Sequence, residues 1–379
     1  MNNQISQLKK QFSRNAINVF GKSIAEKIVV IESDDWGTIR MSSKEAFNEL
    51  KNKGYNVDKS PYNKFDSLES KEDLEQLFDV LKSVKGEDGK PAKFTINNIV
   101  ANPKFDLIEK SNFKSYFYEP FTETLNNYYH DNKVMELYFH GIDSQLIKPQ
   151  FHGKEHLNVG RWMKGLQENN KALHDAFKLK IFSPCLANTN KYLNEYMDAL
   201  DYDNDNEIET QKEILKQGLD LFEKIWGFKS KSFIAPCYIW DKKLEDFLST
   251  QGIEYFQGMV NQFNPINEIG FKYNKIYHYQ GQKNHYNQLY LLRNVFFEPT
   301  ITPNFDWNND CLNRIEIAFK WKKPAIISTH RLNFTGTLNQ ENRTENLKKL
   351  KTLLQAIVKK WPEVRFVSSD ELGDILKNN

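Results

Sequence analysis

Two short segments of the chain carry residue types that could hold a metal ion. Asp34 and Asp35 stand side by side after the apolar run 28–31. His152 and His156 lie four residues apart in a polar stretch, a spacing that lets two imidazoles converge on one cation if the segment is helical. Adjacent carboxylates repel each other, and a metal keeps both ionised when one of them ligates it. Together these side chains could form a His-His-Asp metal site with a spare carboxylate beside it, which is the outline of a hydrolase.

Each segment also has a purely structural explanation. An aspartate at a strand end commonly caps the helix that follows, so Asp34 could serve as an N-cap. The histidine pair could lie on the surface without a metal. Glu155 lies between the histidines, but the order is HGKEH rather than HExxH, so the zincin motif is absent.

Two later segments add groups that suit acyl-transfer chemistry. His330 follows the apolar run 325–329 directly and is placed to act as a general acid near neutral pH, or else to hydrogen-bond at a strand end. Pro236 fixes its own φ, and backbone N–H groups just after it could point at an oxyanion. No Cys–His constellation is recognisable, so we interpret the Cys237 side chain as part of the wall rather than as a nucleophile.

Apolar or β-rich runs alternate with helical patterns along the chain. The predicted strands are 27–33, 93–100, 134–139, 180–184, 232–235, 288–295, 325–329 and 364–367. The predicted helices are 44–53, 71–84, 159–177, 210–226, 242–251, 309–321 and 341–360. This alternation predicts a parallel sheet in one α/β domain, and about seven or eight strands favour a barrel.

The chemistry-bearing residues share one position in this scheme. The aspartate pair, the Pro236-Cys237 turn and His330 each come just after a predicted strand. In parallel α/β folds the C-terminal strand ends and the loops that follow them carry the active site. We therefore expect these groups to meet at one rim of the sheet.

The order of the motifs resembles that of the polysaccharide deacetylases of the NodB-homology type, carbohydrate esterase family 4. The matching features are DD, HxxxH, a turn like the family's FRPPYG at 233–238, and a late strand-end histidine, spread over roughly 27–370. The resemblance implies a deformed (β/α)7 barrel. The roles that it implies are a catalytic base at Asp34, metal ligands at Asp35, His152 and His156, a general acid at His330 and an oxyanion donor at the backbone N–H of Cys237.

The chain departs from the family pattern at several of these motifs. Trp36 intrudes before Gly37 in the first motif, and Ile234 stands where the family has the arginine that steadies the base. Arg293, at another strand end, or Arg161 could take the place of that arginine. The pair Asp306-Trp307 is the only candidate for the family's fourth motif.

The spacing of the motifs also suggests how the chain is divided. We expect an N-terminal extension over 1–26 and a single catalytic barrel domain over 27–379. The interval from Asp35 to His152 is long for the family. It predicts an insertion between about 44 and 133 that shapes the substrate site.

Composition excludes several other classes of protein. The 52 basic and 50 acidic residues nearly cancel, and no basic stripe argues for nucleic acid or an anionic membrane surface. Three cysteines without a CxxC pair argue against a disulfide framework and against a cysteine zinc site. No window approaches the roughly 18 apolar residues of a membrane span, and the start lacks the apolar core of a signal peptide. A cytoplasmic protein is the default expectation, and the oligomeric state is left open.

The favoured hypothesis is metal-dependent hydrolysis of an N- or O-linked acetyl group on a sugar or glycan precursor. The cofactor would be one divalent metal, Zn²⁺ in the first place, with Co²⁺, Ni²⁺ or Mn²⁺ as alternatives. Trp36, Trp162 and Trp307 are candidate faces for stacking on a sugar, or ordinary packing residues. Two alternatives stay open: a catalytically inactive carbohydrate-binding barrel, favoured by Ile234, and a metal-dependent hydrolase of a non-sugar amide.

Overall fold

A computed structural model of the chain describes residues 2–182, 196–266 and 272–378. Its strands are β1 Ile28–Trp36, β2 Phe94–Ile99, β3 Ala101–Pro103, β4 Tyr118–Pro120, β5 Ile147–Gly153, β6 Ser232–Phe233, β7 Tyr255–Gly258, β8 Asn261–Pro265, β9 Tyr273–Tyr277, β10 Leu289–Leu292, β11 Val295–Phe296, β12 Ala325–His330 and β13 Arg365–Phe366. Its α-helices are α1 Asn2–Val19, α2 Lys44–Asn52, α3 Pro61–Phe65, α4 Lys71–Lys82, α5 Phe105–Lys110, α6 Phe121–Tyr129, α7 Lys133–Asp143, α8 Val159–Gln167, α9 Lys171–Lys178, α10 Glu207–Trp226, α11 Leu244–Thr250, α12 Trp307–Lys320, α13 Gln340–Lys360 and α14 Ser369–Asn378.

The parallel strands form one curled sheet. Their order is β10-β7-β6-β5-β2-β1-β12-β11, and β13 pairs with the start of β1. The ends of this path are consecutive along the chain: the Arg293 N–H donates to Gly258 in β7 at 2.8 Å, and the Asn294 N–H donates to Ile326 in β12 at 3.2 Å. One bent segment, β10–β11, therefore bridges the two edges of the sheet. The predicted α/β fold, a deformed barrel, is confirmed.

The first strand shows why the rim is polar and the base of the barrel is apolar. Side chains alternate across a strand. Val29 and Ile31 pack under the outer helices, in a cluster that includes residues of α4 and α13. Ile28 and Val30 face inward and pack against leucines of α14. The next inward positions are Glu32 and Asp34, so the interior turns acidic toward the C-terminal strand ends.

Several of the predicted elements differ from the structure. The strand predicted over 134–139 is wrong, because this segment lies in α7 and buries Val134, Tyr138 and Gly141 at helical spacing. Residues 180–182 are not a strand, and the rest of that predicted strand lies outside the described residues. The helix predicted over 159–177 is two helices, α8 and α9, separated at Asn169, whose φ is +57°.

Two barrel strands were not predicted, namely β5 and β7. Pro149 lies inside β5, and proline normally argues against a central strand. β2 lies within the range predicted as an insertion and pairs with both β1 and β5. α1 packs on the barrel wall, where Asn18 accepts a hydrogen bond from Asn294 at 2.9 Å. The domain division itself stays a prediction. No helix within the described ranges is long and apolar enough to span a membrane.

Candidate metal centre

The end of β1 directs two adjacent carboxylates into one site. The pairing of β1 with β2 shifts between Ser33 and Trp36, so three steps along β1 match two along β2. Such a bulge re-aims side chains, because the extra residue breaks the strict alternation of faces. Asp35 also has a left-handed backbone, with φ +75°. Asp34 thus keeps its inward place on the strand while Asp35 turns toward β5.

His152 and His156 reach Asp35 from the end of β5, although they do not lie on a helix. His152 is on the strand itself, and His156 is in the loop that follows Gly153. The helical arrangement considered from the HxxxH spacing is therefore wrong. The two histidines converge because a strand is followed by a turn, in which Gly153 has φ +131°.

The three side chains stand at distances that suit a single ion. Oδ1 of Asp35 lies 3.5 Å from Nε2 of His152 and 3.3 Å from Nε2 of His156. One ligand atom from each of the three residues lies within 4.8 Å of the others. Two ligands at about 2.1 Å from a tetrahedral ion stand about 3.4 Å apart. The Asp35 oxygen and each of the two imidazoles are thus spaced as ligands of one ion.

One unsatisfied atom of the cluster also fits a metal. Nε2 of His152, the nitrogen that faces Asp35, is buried without a hydrogen-bond partner, which costs free energy unless an ion or water engages it. Nδ1 of His152 is 2.9 Å from the Ile234 carbonyl, the type of outer contact that orients a ligating imidazole. Burial lowers the pKa of His156 to about 3, so this ring is neutral at pH 7. Two imidazoles and a carboxylate form a donor set that suits Zn²⁺ and similar ions.

Arg40, which was not predicted as a site residue, lies beside the cluster. Its Nη2 donates to Oδ2 of Asp35 at 3.2 Å. Burial raises the pKa of Asp35, but Arg40 and then His156 outweigh it and hold the pKa well below its usual value. Asp35 is therefore ionised and ready to ligate. No sequence motif marks Arg40.

Asp34 is held by donors on both of its carboxylate oxygens. Nη1 and Nη2 of Arg293 donate to Oδ2 and Oδ1, each at 2.7 Å, and Nδ2 of Asn97 donates to Oδ1 at 2.7 Å. Nε of Arg293 donates to Glu32 at 2.6 Å. Burial raises the pKa of Asp34, but Arg293 lowers it far below its usual value. The sequence offered Arg293 and Arg161 as possible partners of this carboxylate, and the structure places Arg293 beside it.

His330 is the last residue of β12 and pairs in register with Asp34. Its Nε2 lies 3.8 Å from Oδ2 of Asp34, and its Nδ1 lies 2.6 Å from Oε1 of Glu298. Burial lowers the pKa of His330, but the carboxylate of Glu298 outweighs it and raises the pKa to about 9. The imidazole is therefore protonated at neutral pH. Glu298 and Asn97 were not predicted, because nothing in the local sequence links them to the motifs.

The Pro236-Cys237 turn follows β6 and lies against Arg293. In this turn the Tyr238 N–H donates to the Ala235 carbonyl and the Ile239 N–H donates to the Pro236 carbonyl. The Cys237 N–H takes part in neither of these two hydrogen bonds. The Tyr238 hydroxyl lies 3.0 Å from Nη1 of Arg293, so the turn is docked against the residue that holds Asp34. Burial raises the pKa of the Cys237 thiol, so the side chain is neutral, in keeping with a wall rather than a nucleophile.

Three other predicted site residues make their contacts elsewhere. Arg161 donates to Asp198, Asp201 and Asp203 at 2.9, 2.7 and 2.6 Å. Asp306 caps α12 by accepting from the Asn309 N–H at 3.2 Å. Trp307 donates to the Thr302 carbonyl at 3.0 Å and meets Phe305 edge-on.

Two of the three tryptophans that were candidates for stacking on a sugar have no exposed surface. Trp36 and Trp162 are fully buried. Their indole N–H groups donate inside the protein, to Ser33 Oγ at 2.9 Å and to the Phe182 carbonyl at 2.7 Å. Of the two interpretations, ordinary packing is the one that fits these rings, because a sugar cannot reach them.

Comparisons with known proteins give likenesses in fold only. No protein-family model matches the chain, and no curated protein matches its sequence significantly. A 4-alpha-glucanotransferase from Thermococcus litoralis is 10% identical with a TM-score of 0.43, over 92% of this chain and 40% of its own. A predicted polysaccharide deacetylase from Mycobacterium smegmatis is 9% identical with a TM-score of 0.42, over 95% of this chain and 93% of its own.

A third solved structure, Puue allantoinase, is 9% identical with a TM-score of 0.40, over 92% of this chain and 90% of its own. The chain thus spans less than half of the first of these proteins and most of the other two. At these identities and TM-scores the likenesses assign no family to the chain. The functional argument therefore rests on the geometry of the site itself.

Proposed function

We propose that the chain is a metal-dependent hydrolase that removes an N- or O-linked acetyl group from a sugar or glycan precursor. One observation carries the proposal. The Asp35, His152 and His156 cluster, in which Nε2 of His152 is buried without a partner, lies beside Asp34, the preceding residue of β1. An ionised carboxylate, a protonated imidazole and a set of metal ligands are three components that suit the metal-assisted hydrolysis of an amide or ester.

Asp34 is the proton acceptor in this proposal. When water attacks the acyl carbon, its hydroxyl adds to that carbon and its other proton passes to the carboxylate of Asp34. Arg293 and Asn97 fix the position of the carboxylate through three hydrogen bonds of 2.7 Å. Such fixed positioning lowers the barrier, because the reacting groups need not be ordered during the reaction.

His330 is the proton donor. Its contact with Glu298 occupies Nδ1, so Nε2, 3.8 Å from Asp34, is the nitrogen available to the substrate. It donates its proton to the leaving amine or alcohol as the bond to the acyl carbon breaks. The products are acetate and a sugar with a free amino or hydroxyl group.

The metal would be held by Asp35, His152 and His156, with Zn²⁺ as the first choice and Co²⁺, Ni²⁺ or Mn²⁺ as alternatives. When bound, such an ion supplies Lewis-acid polarisation of the acyl carbonyl and lowers the pKa of water. The backbone N–H of Cys237 would donate a further hydrogen bond to the carbonyl oxygen. The acyl chemistry is supported by the site, and the sugar is supported by the order of the motifs along the chain.

A substrate panel on purified, zinc-loaded protein tests the proposal. We expect acetate to be released from at least one N- or O-acetylated sugar, and release to stop in Asp34→Asn. His140→Ala, which changes an exposed histidine of α7 outside the cluster, is the matched control and should keep the wild-type rate.

The same panel separates the alternatives. Sugar binding without acetate release would favour an inactive carbohydrate-binding barrel. Hydrolysis of a non-sugar amide with no action on acetylated sugars would keep the hydrolase and replace the substrate class. If no metal binds and Asp34→Asn changes nothing measurable, the enzyme proposal is wrong.

A further inference from the structure

Three arginines lie around the site, and one of them is held much less firmly than the others. Arg293 and Arg331 are fully buried and make ion pairs of 2.6–3.0 Å. The Arg40 side chain is 13% exposed, and its carboxylate contacts are longer, 3.2 Å to Asp35 and 3.6 Å to Asp66. Its Nε is buried without a hydrogen-bond partner. Nη2 of Arg331 also lacks a partner, but the Arg331 side chain is fully buried, so Arg40 is the arginine of the three that a bound molecule can reach.

Neither carboxylate beside Arg40 belongs to it alone. Asp66 already accepts from Nε of Arg331 at 3.0 Å. Asp35 is the oxygen ligand of the metal cluster, and its other oxygen, Oδ1, faces the two imidazoles. A metal at the cluster draws on the charge of Asp35 as well. Once a metal engages Asp35, Arg40 is left with the 3.6 Å contact to Asp66, which is too long for a hydrogen bond.

The surroundings of Arg40 form one side of the site. Its guanidinium group lies 5.0 Å from the centre of the Tyr62 ring. The Tyr62 ring meets His330 edge-on, with centroids 5.7 Å apart. Arg40, Tyr62 and His330 are each partly exposed. One substrate molecule could therefore place one group at Arg40 and its acyl group at the reacting atoms, a few ångströms away.

We infer that the substrate carries an anionic group, a carboxylate or a phosphate ester on the sugar, which Arg40 binds while the acyl group meets the metal cluster. This inference deepens the proposed function and rests on it. A guanidinium group recognises carboxylate and phosphate through paired charge-assisted hydrogen bonds, and a stacked tyrosine keeps it oriented. Arg40 is a specificity-determining residue in this account.

Binding of sugars that lack an acetyl group tests the inference without turnover. The zinc-loaded protein is titrated with glucose, glucuronate and glucose 6-phosphate, which separate neutral, carboxylate and phosphate chemistry. We expect at least one charged sugar to bind about 10- to 100-fold more tightly than glucose. Arg40→Gln should remove most of this ratio, and Arg40→Lys should retain part of it. Arg314→Gln, which changes a similarly exposed arginine paired with Asp310, should leave the ratio intact.

The ratio of two affinities in one preparation does not depend on how much of that preparation is folded. Equal affinities for charged and neutral sugars in the wild type, absence of binding included, would overturn the inference, as would a ratio unchanged in both Arg40 variants. Zinc content and acetate release are measured on the same samples. If the protein holds zinc and releases acetate but does not prefer charged sugars, only this inference is wrong. If it prefers charged sugars but releases no acetate from any substrate, only the proposed function is wrong.

Discussion

The half of the site built around Asp34 and the half built around Asp35 differ in how their polar atoms are satisfied. Both oxygens of Asp34 accept hydrogen bonds of 2.7 Å from Arg293, and Asn97 adds another. Around Asp35 the contacts are longer, and Nε2 of His152, which faces Asp35, is buried without a partner. Protein donors thus engage both oxygens of Asp34, whereas the His152 nitrogen beside Asp35 has no protein hydrogen-bond partner.

This difference follows from the local backbone. Asp34 keeps the regular inward position of a β-strand residue, so neighbouring strands can surround it with side chains of fixed register. Asp35 sits on the bulge with a left-handed φ, at the edge where the strand pairing is interrupted. The comparison teaches that two adjacent and identical residues can acquire separate roles through one extra residue in a strand.

The largest effect is expected from breaking the Asp35 half. His152→Ala or His156→Ala removes one of the two imidazoles, and we expect zinc affinity to fall at least about 100-fold, the upper range for the loss of an outer partner of a ligand. Zinc content after dialysis checks this, with His140→Ala as the control. Zinc retained at wild-type stoichiometry in both variants would remove the metal site from the account.

The Asp34 half should fail in a different way. Asp34→Asn removes the proton acceptor, and we expect kcat to fall about 10²- to 10⁴-fold while zinc content stays unchanged. Kinetics and metal analysis of the same preparation are the measurement. Loss of zinc in this variant would show that the two carboxylates do not have separate roles.

The supports of Asp34 should matter for stability. Arg293→Met leaves the carboxylates of Glu32 and Asp34 buried without their cation, and we expect the free energy of unfolding to fall by about 3–5 kcal/mol. Arg293→Lys should cost less, because the charge is kept although the paired hydrogen bonds are lost. Urea unfolding measures both, and Arg365→Met, in a partly exposed pair with Glu26, is the control. A loss in Arg293→Met no larger than in the control would contradict the arrangement.

A smaller effect is expected from pH. His330 has a pKa raised from 6.5 to about 9, so its protonated form is present below that value and is lost as the pH rises through it. The rate of acetate release should therefore fall above about pH 9, and the stability that the His330–Glu298 pair contributes should be lost between pH 6.5 and 9. Glu298→Gln should move the alkaline limb of kcat to lower pH. An unchanged limb in that variant would show that another group controls it.

The sequence predicted those parts of the site that lie at strand ends. Asp34 and His330 end neighbouring strands, and the direction of parallel strands brings such residues to one rim. Arg40, Asn97 and Glu298 could not be found in this way, because their roles come from contacts between segments far apart in the chain. The histidine pair was found by its spacing, although the geometry behind the spacing was different.

The errors in the elements have equally local causes. The segment 134–139 is rich in apolar and aromatic residues that also occur in strands, but its buried positions recur with helical period. β5 has a proline and polar residues in its interior, so composition did not mark it as a strand. It is nevertheless the strand that carries His152.

The metal cluster is the central claim, and a crystal structure of the zinc-loaded protein with anomalous data at the zinc edge tests it most directly. The account predicts one ion bound by a carboxylate oxygen of Asp35 and one nitrogen each of His152 and His156, at about 2.0–2.2 Å. An ion bound elsewhere, or no ion and a direct hydrogen bond between Asp35 and the imidazoles in its place, would contradict it.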